Sequence, residues 1–528
     1  MSALKRTYLL FYLAGLAVIA LAGWLQRAPG YMDADYYYAG GLVLLKGGGF
    51  SQPFLWNYLD APAGLPVPGF TYWMPLGSLL AAAGAALGGG FLTARLTFWL
   101  LGAAVPPLTV WAGIQLHGER GKALLGGLFA LFPVYYLSYL PTTDVFAATM
   151  LLGTGLIFIL RRESVSLSHW FLCGLLAGLM HLARADGIFW LAGVLAAACL
   201  PLLASRPKAE QWLQSAAACL AALAGYFLPM SFWYLRNLGQ WSWIFAPGSG
   251  RTLWLTRYED TFLYPAGLLD ARRWLATGAA AILAARGAAL GTNLQTWVAV
   301  QGGVVLLPFA LGGLWLLRRL QSVRFAVLMW LATFAAMTLV FPYAGINGSF
   351  FHSGAAFQPL IWAAAPLGLE RFVAWLARLR GWQRGEQVRR FFAGLLLAAC
   401  VGLTLLIYVQ RTAGGAVGAG LAWDRSDRHY RAVEQRLVEL GATPCLVVMV
   451  NNPPGYYAAA GRSGVVIPYG DEAVLFSAAR QYDASYLVLE ENDAGHLPEL
   501  YDRPGDRPGL AYLGEVEGTK LYAFTNNP

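Results

Sequence analysis

Charge is what this sequence has least of. Only 12% of its 528 residues are Asp, Glu, Lys or Arg, against 58% hydrophobic residues. Its mean hydropathy of +0.51 lies outside the range of soluble globular domains. Cysteine is scarce as well: Cys173, Cys199, Cys219 and Cys400 fall inside apolar stretches and Cys445 stands alone in the tail. That usage excludes a disulfide framework and a thiolate metal site. No internal repeat is visible, which counts against transporter folds built from repeated halves. The net charge of +9 reflects basic membrane-flanking loops rather than a nucleic-acid partner.

What the sequence has is long apolar runs. A hydrocarbon core of roughly 30 Å takes about 20 apolar residues per helix. Eleven runs qualify: Leu9–Leu25, Ala94–Leu116, Ala123–Leu140, Val145–Leu160, Leu167–Leu182, Ile188–Leu203, Trp212–Leu235, Trp297–Leu317, Phe325–Phe341, Ala355–Leu369 and Phe391–Val409. The first, behind Lys5 and Arg6, reads as a retained anchor rather than a cleaved leader. Trp73–Leu87 is short, ends in Gly88-Gly89-Gly90, and is expected to be re-entrant or interfacial. Trp274–Leu290 contains Arg286 and reads as an amphipathic surface helix.

Parity supports that assignment. With Lys5 and Arg6 inside, the inside loops collect Arg120 and Lys122, Arg161 and Arg162, Arg206 and Lys208, Arg318, Arg319 and Arg324, and the cluster Arg371, Arg378, Arg380, Arg384, Arg389 and Arg390. The outside connections at Pro141–Thr143 and Pro342–His352 carry no Lys or Arg, as the positive-inside bias requires. The expectation is a multi-pass protein of the cell membrane with a cytoplasmic N-terminus. The loops Gln26–Tyr72 and Asn237–Gln295 and the tail then face outside. From about Trp423 helices (Tyr430–Leu440, Glu472–Tyr482) alternate with strands (Cys445–Val450, Tyr486–Glu490, Leu510–Leu513, Lys520–Phe524), giving a small extracytoplasmic α/β domain. The domain division is 1–410, transmembrane, and 411–528, α/β.

Acids and cations gather at the outer helix mouths. Asp33 and Asp35 follow the first span among Tyr31, Tyr36, Tyr37 and Tyr38. Such a pair suits general-base work or a divalent cation, Mg or Mn, bridging phosphate oxygens. Solvated loop acids are the commoner outcome for Asp-x-Asp in general. Asp144 opens the fourth span after Pro141-Thr142-Thr143, where an acid also satisfies a helix N-terminus. Arg184, in the turn His181-Leu182-Ala183-Arg184-Ala185-Asp186-Gly187, either pairs with Asp186 or holds a phosphate. Arg236 ends the seventh span, and His352 stands before the tenth in Gly348-Ser349-Phe350-Phe351-His352; both are candidates for meeting a phosphate. Arg251, Glu259 and Asp260 read as solvated loop charge, and Asn451–Tyr457 as a structural turn.

The acidic pair after the first span, the Pro-containing half-helix Trp73-Met74-Pro75-Leu76, Arg95, the acid Asp144 and the turn Arg184-Ala185-Asp186-Gly187 together resemble the GT-C superfamily of membrane glycosyltransferases. The pattern covers roughly Tyr8–Leu369. It is most similar to the bacterial branch of protein O-mannosyltransferases, lipid A aminoarabinose transferases and lipopolysaccharide sugar transferases. The resemblance implies a GT-C-like α-helical bundle, a polyprenyl-phosphate sugar donor, a lipid, glycan or protein acceptor, and transfer on the extracytoplasmic face with inversion. It also implies Asp33 as catalytic base, Asp35 as its partner and Asp144 as a second acid. Many relatives carry Asp-Glu where this chain has Asp33-Ala34-Asp35. The alternatives, a flippase for lipid-linked sugars or a non-catalytic receptor, are disfavoured. The span centres are nearly free of ionisable residues, and the acids cluster away from the tail.

Overall fold

A computed structural model describes residues 3–160, 166–203, 207–382, 385–414 and 421–525. Arg161, Arg162, Arg206 and Arg384 of the expected inside loops lie outside the described residues. The chain divides into two compact units. The first comprises Met1–Leu25, Leu96–Trp233 and Arg286–Gly414; the second comprises Gln26–Arg95, Tyr234–Ala285 and Gly415–Pro528.

The first unit is helical. Seven described helices are long and apolar enough to cross a membrane: Ala3–Trp24, Phe91–His117, Ala185–Leu203, Ala209–Trp241, Gln321–Val340, Pro342–Arg380 and Gly385–Ala413. Leu76–Ala85, Phe146–Ile159, Leu167–Ala183 and Leu307–Leu316 are shorter apolar helices. Two expected spans differ for local reasons. The Ala123–Leu140 run is α-helical only through Leu131, in helix Arg120–Leu131, with a single 3-10 turn at Tyr136–Ser138 beyond it. Pro133 disfavours helical backbone at Phe132, and Val134 takes φ +48. The Trp297–Leu317 run straddles a break: helix Gly278–Thr296 continues as a widened turn through Trp297–Gln301, Gly303 takes φ +53, and a new helix runs Leu307–Leu316. The amphipathic helix expected to end at Leu290 therefore continues to Gln301.

Helices in this unit approach closely because their contact residues are small. A Cβ on Gly313 would lie 2.0 Å from the Ala364 carbonyl oxygen, and one on Gly368 would lie 1.9 Å from that of Phe309. Any side chain at either position would push helix Leu307–Leu316 away from helix Gln358–Arg380. All five cysteines are free.

The second unit is built on strands. In chain order these are β1 (Ser51–Gln52), β2 (Phe54–Leu55), β3 (Val67–Pro68), β4 (Val447–Val450), β5 (Gly464–Val466), β6 (Ala484–Leu489), β7 (Leu510–Val516) and β8 (Thr519–Phe524). β1 and β3 form an antiparallel pair, and the other six make one sheet in the order β2-β5-β4-β6-β8-β7. The first four of these run parallel, while β8 and β7 are antiparallel. Glu517 (φ +48) and Gly518 (φ +88) close the β7–β8 hairpin, with the left-handed pair that a two-residue hairpin turn requires. One face of the sheet packs Leu475, Ala478, Leu487 and Leu500 with Tyr58 of the first loop. The other packs Val433, Leu437, Val448 and Tyr456. The tail does not complete this sheet from its own residues: its edge strand, β2, comes from the first loop, with Phe54 opposite Gly464 and Leu55 opposite Val465.

Candidate active site

The first loop is not irregular where the acids sit. After Gly30 (φ +87) and an extended Tyr31, helix Met32–Leu45 begins, with Asp33 and Asp35 in its first turn. Carboxylates there complement the unsatisfied N–H groups of the helix start. Two positions along a helix turn side chains by about 200°, so the two acids diverge. Asp33 is half-exposed, and its Oδ1 accepts a hydrogen bond from the Trp73 indole at 2.9 Å. Trp73 packs against Trp56 (ring centroids 4.2 Å apart) and Tyr36 (4.6 Å). Asp35 is buried, and its Oδ2 accepts from Asn452 Nδ2 at 2.8 Å. Burial pushes its carboxyl pKa up to about 7, against the opposing pull of that hydrogen bond. The two carboxylates of the expected pair thus turn apart, Asp33 to Trp73 of the first loop and Asp35 to Asn452 of the tail.

Arg236, near the end of helix Ala209–Trp241, donates to the Gly69 carbonyl and, at 2.7 and 3.1 Å, to Asn237 Oδ1. The neighbouring Phe70 N–H donates to Tyr36 Oη at 2.9 Å, and Tyr36 donates to Gln52. Burial raises the Tyr36 phenol to about 12. Arg236 and Tyr36 thus hold one turn of the first loop between them. Asp260 is not solvated loop charge: it is buried, 3.0 Å from Arg273, and accepts from the backbone and hydroxyl of Thr256. Arg251 donates to the Leu59 carbonyl, and Glu259 is exposed. The expected turn at Asn451–Tyr457 is the start of helix Pro453–Ala460, with Asn452 accepting from the Gly455 N–H as its cap. Asn-Pro-Pro is a recognisable helix start.

In the first unit the remaining candidates form one polar chain. Asp144 is 2% exposed; its Oδ1 accepts from the Val145 N–H, and its Oδ2 lies 2.9 Å from His352 Nε2. His352 Nδ1 lies 2.9 Å from the Gly348 carbonyl, and the ring stacks on Phe146. A carbonyl only accepts, so Nδ1 carries a proton, and a further proton lies between Nε2 and Asp144. Next to His352, the Ser353 hydroxyl donates to Asp186 Oδ2, whose Oδ1 lies 2.9 Å from Arg184 Nε. Arg184 therefore pairs with Asp186, one of its two expected fates. His181 contacts the Tyr226 hydroxyl within the same unit. Ser353 was not singled out from sequence, because a lone serine beside a histidine carries no signal.

No protein-family model matches the chain, and no curated protein matches it in sequence. Solved structures do match. ArnT from Cupriavidus metallidurans, in the apo state, aligns over 99% of this chain and 98% of its own at 11% identity, with a TM-score of 0.57. ArnT bound to undecaprenyl phosphate gives 12% identity, the same coverage and the same score. The fold is that of the GT-C glycosyltransferases. The Archaeoglobus fulgidus oligosaccharyltransferase in complex with zinc and sulfate aligns over 98% of this chain and 73% of its own at 14% identity and a TM-score of 0.52. The mycobacterial arabinofuranosyltransferase AftD shares the GT-C fold over 99% of this chain and 42% of its own, at 14% identity and a TM-score of 0.50.

Proposed function

We propose that this chain is a membrane glycosyltransferase. It takes a sugar from a polyprenyl-phosphate donor and passes it, with inversion, to an acceptor hydroxyl or amine on the extracytoplasmic face. The observation that carries the reading is the end-to-end GT-C fold shared with ArnT, one of whose structures holds undecaprenyl phosphate. Asp33, half-exposed at a helix start directly after the first apolar helix, supports it.

A polyprenyl phosphate leaves readily, so the protein's task is to orient the acceptor, take its proton late and stabilise charge on the departing phosphate. Asp33 is the base. The Trp73 indole fixes its Oδ1, which sets the direction from which an acceptor proton arrives. Asp35, buried and bound to Asn452, positions the helix rather than exchanging protons with substrate. The donor phosphate falls to His352, Arg236 and Arg184, the last exchanging its Asp186 partner for the phosphate on binding, with Asp144 orienting His352. The catalytic residues fall within 1–410, and Asn452 of the tail beyond 411 holds the helix that carries Asp33 and Asp35.

For a divalent cation, Asp144 and His352 fit where Asp33 with Asp35 does not. A carboxylate oxygen and an imidazole nitrogen 2.9 Å apart are donors one ion takes together. When bound there, a divalent cation would neutralise charge on the leaving phosphate. The topology follows the basic residues: N-terminus in the cytoplasm, first loop and tail outside.

The deciding experiment is transfer from radiolabelled polyprenyl-phosphate sugars to extracted membrane acceptors, with wild type beside Asp33→Asn. Label reaching an acceptor with wild type alone establishes both activity and base. A well-folded Asp33→Asn protein that still transfers removes Asp33 from that role.

A further inference from the structure

The chain's densest positive charge lies where helix Gln358–Arg380 gives way to helix Gly385–Ala413. Between these two helices and helix Leu307–Leu316 lies an open cavity of about 640 Å³. Its floor is apolar, with Leu316, Leu367 and Val373; its rim carries Glu370, Arg371 and Arg389. Glu370 is already neutralised, by Lys122 and by Arg389 at 2.7 Å. Arg389 also reaches Glu386. Arg371 is exposed and makes no hydrogen bond or ion pair among the described residues.

Along the same helix, Phe372, Trp375 and Leu379 are 39%, 49% and 64% exposed. The Phe372 and Trp375 rings lie 5.7 Å apart, and Phe372 also meets Phe309 of the neighbouring helix. Outward-facing aromatic rings beside arginines are what a membrane protein presents at headgroup depth, where the ring bodies meet acyl chains and the guanidinium groups meet phosphate. An apolar floor under a cationic rim repeats that division inside one cavity.

We propose that this cavity seats an anionic glycerophospholipid, its phosphate between Arg371 and Arg389 and its acyl chains along Leu316, Leu367 and Val373. The site selects for a net negative headgroup. A choline headgroup would bring its own cation to Arg371, whereas a glycerol headgroup leaves the phosphate charge uncompensated and adds hydroxyls that reach Glu370. The proposal is independent of the transfer reaction, since none of its residues belongs to the acids and cations assigned to catalysis.

Its test is native mass spectrometry of the detergent-purified full chain, offered phosphatidylglycerol and phosphatidylcholine of identical acyl chains. Wild type is expected to retain phosphatidylglycerol several-fold over phosphatidylcholine. Arg371→Gln and Arg371→Glu should lose that preference and Arg371→Lys should keep it. Arg371 is exposed and unpaired, so these variants leave the fold intact, which thermal unfolding of each checks. A wild type without preference, or a preference untouched in Arg371→Gln and Arg371→Glu, overturns the proposal. So does loss of bound undecaprenyl phosphate in Arg371→Gln and Arg371→Glu, which would make the cavity a donor site.

Discussion

Asp35 of the first loop and Asn452 of the tail are joined by a 2.8 Å hydrogen bond across 417 positions of sequence. The bond is buried and its acid is shifted upward, from 3.8 to about 7. The folded state therefore keeps a proton that the unfolded chain gives up near pH 4. Stability is highest below that point, falls as pH rises between about 4 and 7, and levels off above. The limiting slope is about 1.4 kcal/mol per pH unit. Asp35→Asn mimics the protonated form, so its thermal midpoint should be flat over this range while that of wild type declines. Parallel pH profiles for the two proteins would count against the assignment.

Asp33 should behave differently from its neighbour. Loss of a general base costs about 10²–10⁴-fold in rate, so Asp33→Asn should fall at least a hundredfold in kcat with an unchanged thermal midpoint. Trp73→Phe keeps the ring packing and removes the N–H held by Asp33. It should lower kcat by a smaller factor, on the order of tenfold. Steady-state transfer kinetics on the three proteins measure this ordering.

The polar chain from Asp144 to Arg184 predicts a shared phenotype. His352→Gln and Asp144→Asn each break the same contact, so the double variant should lose little more than either alone in kcat/KM. Chelation of divalent ions should depress wild-type turnover, with Mg or Mn restoring it. Full activity after exhaustive chelation would leave His352, oriented by Asp144, to meet the donor phosphate without a cation.

Asp424 offers a stability test away from chemistry. Its Oδ1 accepts from the backbone N–H groups of Arg27 (2.9 Å) and Ala28 (3.1 Å), and the adjacent Trp423 indole donates to the Ala28 carbonyl at 3.2 Å. Asp424→Ala leaves two donors without their acceptor, at a cost of about 1–3 kcal/mol. Chemical or thermal unfolding in detergent reads this directly.

Orientation can be read through the one exposed cysteine. Cys445 is exposed in the tail, whereas Cys173 and Cys400 are buried. In right-side-out membrane vesicles a membrane-impermeant maleimide should label wild type and leave Cys445→Ser unlabelled. Labelling only after the vesicles are opened would invert the proposed topology.

Much of the fold was legible because it rests on long periodic or apolar segments. The helices at Ala3–Trp24, Phe91–His117 and Gly385–Ala413, and the strands at β4, β6, β7 and β8, fall within a few residues of their expected places. What escaped notice was short or set by distant partners. β2 has two residues and β5 three, too few for alternation to register, and their pairing depends on a partner some 400 positions away. Helix Met32–Leu45 was hidden by its composition: tyrosines and glycines on every side give it no polar face to mark a period. The sequence consequently presents Asp33 and Asp35 as a loop pair and conceals their divergence. Asp260 passed for loop charge because its partners, Arg273 and Thr256, are defined only by the folded turn.

The clasp also dictates an order of assembly. Helix Met32–Leu45 is made early, yet two of its neighbours, Asn452 and the helix Pro453–Ala460 that it caps, belong to the last part of the chain. During synthesis the first loop must therefore wait, unclasped, while the intervening helices enter the membrane. A chain interrupted before Asn452 would keep Asp33 and much of the bundle but lack the partner that clasps Asp35, so the helix that carries both acids is fixed only late in synthesis.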